Sequence, residues 1–432
     1  MNIALARLLG NVAHYPRFVR LWASDTIAVF GSQITLLALP LTAAVALQAS
    51  PAQMGALVAL QALPSALFSL HAGVLVDRMR KLRVIRLAAW MRGALLLSIP
   101  LTAHLGVLRM EVLYAVAFAC AGLAVFAELA YQALIPKLVE RDDLLEANAR
   151  IGLSESSADL LGPSVAGALV QAVSAPFAIA LDACSFCVSA FMLRALHVEE
   201  TARPAARAAG LSREIVEALS YVWRSSILRW LALVLALWQL LHHLFLALFV
   251  LYAARDLAMP PAGVGLVFSM GGAGFLLGSL CVCRLSARAG IGPTMLAGLF
   301  ATALGWSAAA AVQAGAHATV TLGLAMACEN FGAGLFFLSY VSLRQGITPP
   351  PLLGRVVGVM RFLAIVPAPA GALMGGMLGQ AMGLRSALTL AGIGCVLLCI
   401  AAAVWSPLRR IRQMQSPAPD PDASPAAATG GR

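Results

Sequence analysis

Gly73-Val-Leu-Val-Asp77-Arg78-Met-Arg80-Lys81-Leu-Arg83-Val-Ile-Arg86 sets five cationic side chains and one acid into the gap between two long apolar runs. A short basic connection between apolar segments is the pattern of a cytoplasmic loop joining two membrane helices. Composition points the same way. Of 432 residues, 61% are hydrophobic and 11% charged, against about 45–50% and about 25% in soluble domains. At roughly 20 residues per span plus short loops, the length has room for roughly twelve spans. The net charge of +11 is spread over arginines in loops between apolar segments, with no basic domain to follow a phosphate backbone, so no nucleic-acid partner is expected.

Residues 1–20 are too polar and interrupted to serve as a cleavable leader, so the first span should direct insertion. Apolar segments run over 20–46, 53–76, 84–106, 112–135, 152–173, 176–196, 228–253, 262–284, 293–314, 318–343, 356–381 and 384–405. With the N-terminus inside, the outward loops carry only Arg109, Arg255 and Arg385, while Arg17, Arg20, Arg203, Arg207, Arg213, Arg409, Arg410 and Arg412 fall on the inner side. Both termini are therefore expected in the cytoplasm, which an even number of spans requires. The domain division that follows is a six-helix bundle over 1–198, a cytoplasmic linker over 199–226, a second six-helix bundle over 227–406 and a disordered cytoplasmic tail over 407–432. Within the linker, Leu211, Ile215, Leu219 and Val222 fall at three- and four-residue steps, which predicts an amphipathic helix lying on the membrane surface.

The halves read as worn copies. Gly73 before Arg78 recurs as Gly278 before Arg284, and Gly167-Ala-Leu recurs as Gly371-Ala-Leu, both at a displacement of about 205 residues. The acid does not recur, because Val282 stands where Asp77 would. The eight cysteines all lie in apolar runs, where cysteine behaves as a small hydrophobe, and Cys184-x-x-Cys187 has no cation beside it to polarise a thiolate. There is no Gly-x-x-x-x-Gly-Lys-[Ser/Thr] run, so the chain is not expected to hydrolyse ATP, and neither an enzyme's catalytic set, a metal site nor a cofactor is expected.

Gly73-x-Leu-x-Asp77-Arg78-x-Arg80-Lys81 resembles the signature loop between helices two and three of the major facilitator superfamily, with Arg80 where that family usually has glycine. Gln132-Ala-Leu-Ile-Pro136, Leu145-Glu-Ala-Asn-Ala-Arg150, Val341-Ser-Leu-Arg-Gln-Gly-Ile-Thr-Pro349 and Gly354-Arg355-Val356 resemble the branch holding the enterobactin exporter and the macrolide efflux proteins. Gly162-Pro163-x-x-Ala166-Gly167 is similar to the exporters' Gly-Pro-x-x-Gly-Gly motif in the fifth span, while the arginine that many drug/proton antiporters carry in the fourth span is missing. The resemblance implies an all-α membrane protein of twelve transmembrane helices in two pseudo-symmetric six-helix bundles. It also implies a cavity lined by spans one, four, seven and ten, and a latch in which Asp77 meets the start of span eleven near Gly354 to Gly358.

An ionisable group at mid-membrane costs several kcal/mol, roughly 2.5 to 3.5 for Asp or Lys on insertion scales, so each is a functional candidate. On the implied cavity helices these are Asp25 and Gln33, then Glu128, Tyr131 and Gln132, then Trp238, Gln239, His242 and His243, and finally Glu329 and Asn330. Glu329 is the deepest carboxylate and the first choice for the coupling proton, with Glu128 and Asp25 behind it. Arg92 and Arg361 are possible partners of Asp25 or Glu128, Asp182 reads as a structural partner, and Trp22 reads as an interfacial anchor. Gly73, Asp77, Arg78, Arg80 and Lys81 form the expected inner-side gating loop. Adjacent histidines point about 100° apart, so no more than one of His242 and His243 should face the cavity.

The function expected from the sequence is a proton-driven antiporter in the inner or plasma membrane that exports a hydrophobic or amphipathic small molecule, a drug or siderophore-like product, as a monomer among lipids. An importer or lipid flippase of the same fold, or a membrane partner or sensor that transports nothing, are the other readings.

Overall fold

The computed structural model describes residues 12, 14–198 and 211–412. Among them the regular structure is helical throughout. The first half holds α1 (Pro16–Leu41), α2 (Pro51–Arg78), α3 (Lys81–His104), α4 (Met110–Leu134), α5 (Leu144–Val173) and α6 (Ala175–Arg194). After α7 (Leu211–Arg224), the second half holds α8 (Ser226–Leu251), α9 (Pro261–Ala289), α10 (Ile291–Ala311), α11 (Ala318–Ile347), α12 (Leu353–Ile365), α13 (Pro367–Met382) and α14 (Leu384–Trp405). Eleven described segments are long and apolar enough to cross a membrane, with α12 and α13 counted as one broken at Val366-Pro367. The remaining bundle member is α5. Its 30 residues are ample, but Glu146, Arg150, Glu155 and Asp159 leave it too polar to qualify. It also begins at Leu144, well before the expected 152, because its first turns are amphipathic and bury Ala147 and Ile151.

Local chemistry fixes several of these ends. Ser50 accepts a hydrogen bond from the Gln53 N–H while the Gln53 side chain accepts from Ser50 N–H, a reciprocal cap at the start of α2. Pro51, Pro176, Pro261 and Pro367 occupy the first turns of α2, α6, α9 and α13, where no intrahelical donor is lost. Met79 and Arg80 link α2 to α3 in extended conformation, so no left-handed residue is needed and arginine is tolerated where glycine was expected.

The two halves repeat in detail. A π-helical turn closes α1 at Thr42–Ala46, and another closes α8 at Tyr252–Asp256. Gln48 and Ala258 follow them with the same positive φ of 50°. The backbone bonds Leu47 to Thr42 and Ala49 to Ala43 recur as Leu257 to Tyr252 and Met259 to Ala253. This sets the repeat at about 210 residues rather than about 205. Gly167 therefore corresponds to Gly376 and not to Gly371. The packing agrees: Gly55 lies against Gly376 where α2 crosses α13, and Gly265 against Gly167 where α9 crosses α5. In a sequence this rich in glycine and alanine a three-residue match fixes the register poorly; backbone contacts fix it well.

Those glycine crossings join the halves at one end of the molecule, and there Arg255 Nη2 donates to the Ala44 carbonyl oxygen at 3.0 Å. At the opposite end, which carries the basic α2–α3 link, the halves pack more loosely: α2 still touches α12, but a Cβ on Gly73, Gly354 or Gly358 would meet nothing within 4 Å. The eight cysteines are free, with Cys395 and Cys399 buried. Helix α7 buries Ala218 and Val222 and pairs Glu217 with Arg355 of α12 at 3.2 Å, leaving Val216, Leu219 and Trp223 exposed. Leu219, one turn before Val222, lies at the exposed edge of that buried stripe; the side chains of Leu211 and Ile215, like residues 199–210, lie outside what is described. Pro407–Arg410 form a 3-10 turn with Leu408 buried, and Gly292 N–H donates to Ile411 O at 3.0 Å. The stretch 407–412, expected to be disordered, is thus docked on α10; residues 413–432 lie outside the described part.

Candidate functional site

A cavity of about 450 Å³ lies between the halves. Gln33 from α1 and Asp159 and Pro163 from α5 form one wall; His242 from α8, Phe268 and Phe275 from α9, and Glu329 and Asn330 from α11 form the other. Glu329 is only 2% exposed. Asn330 Nδ2 donates to its Oε2, and His242 Nδ1 stands 3.9 Å from its Oε1. Gly305 lets α10 approach closely here, since a Cβ there would sit 2.5 Å from the Glu329 nitrogen. The carboxyl is thus held in place by packing on one side and opens toward the cavity on the other.

Behind His242 lies an aromatic stack. Its ring lies 4.9 Å from Trp238 and 6.0 Å from Trp306, and Trp306 stacks on Phe245 at 5.3 Å. Trp238 was expected on the cavity wall; it stands in the second layer instead, buried, with Nε1 unpaired. Gln239 is not on the wall either, and its carbonyl oxygen pairs with His243 Nδ1 at 3.0 Å. Trp238 lies one helical turn before His242 and stacks on its ring, so it backs the histidine while the histidine reaches the cavity.

Asp25, Glu128, Tyr131 and Gln132 gather around a different cavity, of about 700 Å³, inside the first half near its basic end. Arg92 and Glu155 join them there. Arg92 pairs with neither Asp25 nor Glu128; its guanidinium lies over the Phe186 ring at 4.0 Å. The partner of Glu128 is Arg361 of α12 at 3.2 Å, a bridge between the halves with both side chains 54% exposed, and Gln132 Nε2 also donates to Glu128. Asp182 accepts from Thr35 and Ser185, as befits a structural partner. Trp22 is not a free interfacial anchor, because its Nε1 donates to Ser154 Oγ at 3.0 Å on α5.

Asp159 and Glu155, which the implied set of cavity helices left out, are the residues that sequence reasoning missed. Their signal was present: two acids one turn apart just before Gly162-Pro163. Gln33 Nε2 donates to Asp159 Oδ1 at 2.6 Å, so the first and fifth helices share one polar site. Gly162 permits this, because a Cβ there would lie 2.6 Å from the Gln33 side chain. Pro163 lines the same cavity, and its carbonyl meets Gly265 at the crossing between halves. In the basic link, Lys81 Nζ donates to the Asp77 backbone oxygen at 2.8 Å. The Asp77 side chain is exposed and makes no hydrogen bond among the described residues, and the expected contact with Gly354 to Gly358 is not formed in this conformation.

Two bundles related by a repeat, packed closely at one end and loosely at the other around a largely apolar cavity with a few polar groups, define a secondary transporter of the major facilitator superfamily. Solved members share the fold. The nucleoside transporter NupG superposes with a TM-score of 0.73 at 12% identity, over 89% of this chain and 98% of its own. A bacterial homologue of the iron transporter ferroportin in its inward-facing state gives 0.70 at 17% identity, over 90% and 98%. Within that superfamily the chain belongs to the family described as transmembrane secretion effector, whose profile matches residues 13–427. It is similar to the multidrug efflux pump Tap of Mycolicibacterium fortuitum, 26% identical over 95% of this chain and all of that one. Tap of Mycobacterium tuberculosis H37Rv is 27% identical over 88% and 90%. The MFS-type transporter y4rN of Sinorhizobium fredii is 28% identical over 90% and 95%.

Proposed function

We propose that this transporter exports a hydrophobic or amphipathic small molecule against a proton gradient by alternating access. The observation that carries the reading is Glu329: a carboxyl almost wholly buried, yet on the wall of the cavity between the halves, with an imidazole facing it. A carboxyl at membrane depth needs a counter-charge or a proton, and one that opens onto the cavity is placed to exchange a proton with it. The apolar majority of the wall suits an amphipathic substrate, and the resemblance to efflux pumps supports the outward direction. The two walls of the cavity come from the two halves of the chain, and on this reading the working unit is a monomer surrounded by lipid.

The cationic links support a cytoplasmic position for the looser end in a plasma or inner membrane, with both termini inside, and on that reading the conformation described is inward-facing. A reporter fused after Pro204 reads this orientation directly. Cells carrying the protein should accumulate less of a transported dye than cells without it, and an uncoupler should erase the difference. Efflux that survives the uncoupler would exclude a proton-driven mechanism.

The basic link supplies the inner gate of this scheme. In the outward-facing state the Asp77 carboxylate would meet the free N–H groups at the start of α12, where the helix dipole favours an anion. Asp77→Asn should then lower the transport rate about tenfold, since a charged hydrogen bond of this kind contributes roughly 1.5–3 kcal/mol. Expression and insertion should be unchanged. Kinetics like those of the parent would reduce Asp77 to a marker of topology.

A further inference from the structure

The walls of the cavity between the halves bear two carboxyl groups, Asp159 on the α5 side and Glu329 on the α11 side, and neither Lys nor Arg. His242 is the one nitrogen base beside them, and it faces Glu329. Among the described residues Asp159 has no cationic partner: Gln33 takes Oδ1 at 2.6 Å, and the nearest charged neighbour on its helix is another acid, Glu155, one turn away. Its side chain is exposed to the cavity. The rest of that wall is apolar, from Leu36, Leu160, Leu246, Phe268, Phe275 and Met326.

An anionic group at membrane depth persists only with a counter-charge or a proton. Glu329 is buried and hydrogen-bonded, and the export reading gives it the proton. Asp159 is reachable and oriented by Gln33, and among the described residues no cation lies against it, so it is open to a counter-charge brought by a ligand. The geometry points to a cationic amphiphile as the substrate class, a molecule with one permanent or protonated nitrogen or phosphonium centre and a bulky apolar body. Its charge lies on Asp159, and its body lies between Phe268, Phe275 and Met326. This rests on the export reading of the same cavity and assigns to Asp159 a role distinct from that of Glu329.

The position of Asp159 adds a consequence for the cycle. Its backbone oxygen lies at the α5–α9 crossing, where a Cβ on Gly272 would come within 2.9 Å of it. A cation seated on Asp159 therefore sits beside the contact about which the halves must rock, and the cavity's two acids belong to different halves. The arrangement places the substrate charge on one moving body and the proton on the other.

The test uses the full chain, purified in nanodiscs at neutral pH with no gradient, and equilibrium binding of two probes of like shape. Tetraphenylphosphonium carries a permanent charge; triphenylphosphine oxide carries none. Asp159→Asn is expected to weaken tetraphenylphosphonium binding at least about tenfold, with the neutral probe changed less than about twofold, because only the charge term is removed. Asp159→Glu restores the charge and should recover most of the affinity, which separates loss of charge from loss of folding. Glu111→Gln, at the far end of α4, is the control for surface charge and should bind both probes like the parent. Normal tetraphenylphosphonium binding by Asp159→Asn overturns the proposal, and so does equal weakening of both probes or failure of Asp159→Glu to recover affinity. Because no gradient is present, a charge-selective result stands even where uncoupler experiments reject proton coupling, and a failed one leaves that coupling intact.

Discussion

Glu329→Gln should abolish gradient-driven accumulation in membrane vesicles while leaving equilibrium substrate binding within about threefold of the parent. Glutamine has the shape and hydrogen-bonding reach of a protonated carboxyl, so Asn330 keeps its partner and the cavity beside His242 keeps its form. It cannot release a proton. If proton release from Glu329 is the step that admits the next turnover, the variant is caught with substrate bound, and exchange between pools on the two sides can continue while net accumulation stops. The control is Glu128→Gln. Glu128 is half exposed and paired across the halves with Arg361, and exposed ion pairs contribute about 0–1 kcal/mol. Its loss should therefore change the rate by no more than a few fold. Accumulation by Glu329→Gln at the parent rate, still sensitive to an uncoupler, would place the proton site elsewhere, with Glu128 and then Asp25 the next carboxyls to test.

The second large effect belongs to the glycine crossings. At Gly265 a Cβ would lie 2.2 Å from the Pro163 carbonyl oxygen and 3.0 Å from the Gly167 Cα. At the equivalent Gly55 it would lie 2.6 Å from the Ala372 carbonyl oxygen. The clashing atoms are backbone on the opposite half, so no side chain can rotate out of the way. Small residues let helix backbones approach closely in lipid, where packing rather than burial of apolar surface holds helices together. Gly265→Val or Gly55→Val must therefore hold this end of the molecule ajar. Transport should fall at least about tenfold, because a cycle that cannot close one gate cannot alternate. The direct readout is a cysteine at Ala44, buried in the closed state, in a background with the eight native cysteines replaced by serine. An impermeant maleimide should label it slowly in the parent and much faster in the glycine variants. Unchanged labelling together with normal transport would show that the crossing yields without opening the seal.

Asp159 shows how far the sequence could be followed. The expected fifth span, 152–173, already contained it, but the family resemblance implies a cavity lined by spans one, four, seven and ten, and nothing in one dimension turns a span-five acid toward that cavity. The pairing that gives it meaning, with Gln33, joins residues 126 positions apart. Glu329 was legible for the opposite reason: a lone carboxyl in the middle of an apolar run is conspicuous, because the lipid around it makes every such group costly.

What the sequence determined by itself was set by the solvent. Lipid demands about 20 apolar residues per crossing with the polar backbone satisfied inside each helix, so the spans, the basic link at Asp77 to Arg86 and the internal repeat could all be read in one dimension. Helix rotation and partnership could not. Whether Trp238 or His242 faces the cavity, whether Arg92 or Arg361 holds Glu128, and whether Gly167 matches Gly371 or Gly376 depend on how helices turn and cross. Each was decided by close contacts between segments far apart in the chain: the aromatic stack behind His242, the Arg361 bridge, and the glycine crossings at Gly55 and Gly265. In lipid every helix presents an apolar surface whichever way it turns, so hydrophobicity does not choose among its faces, and only packing between helices can.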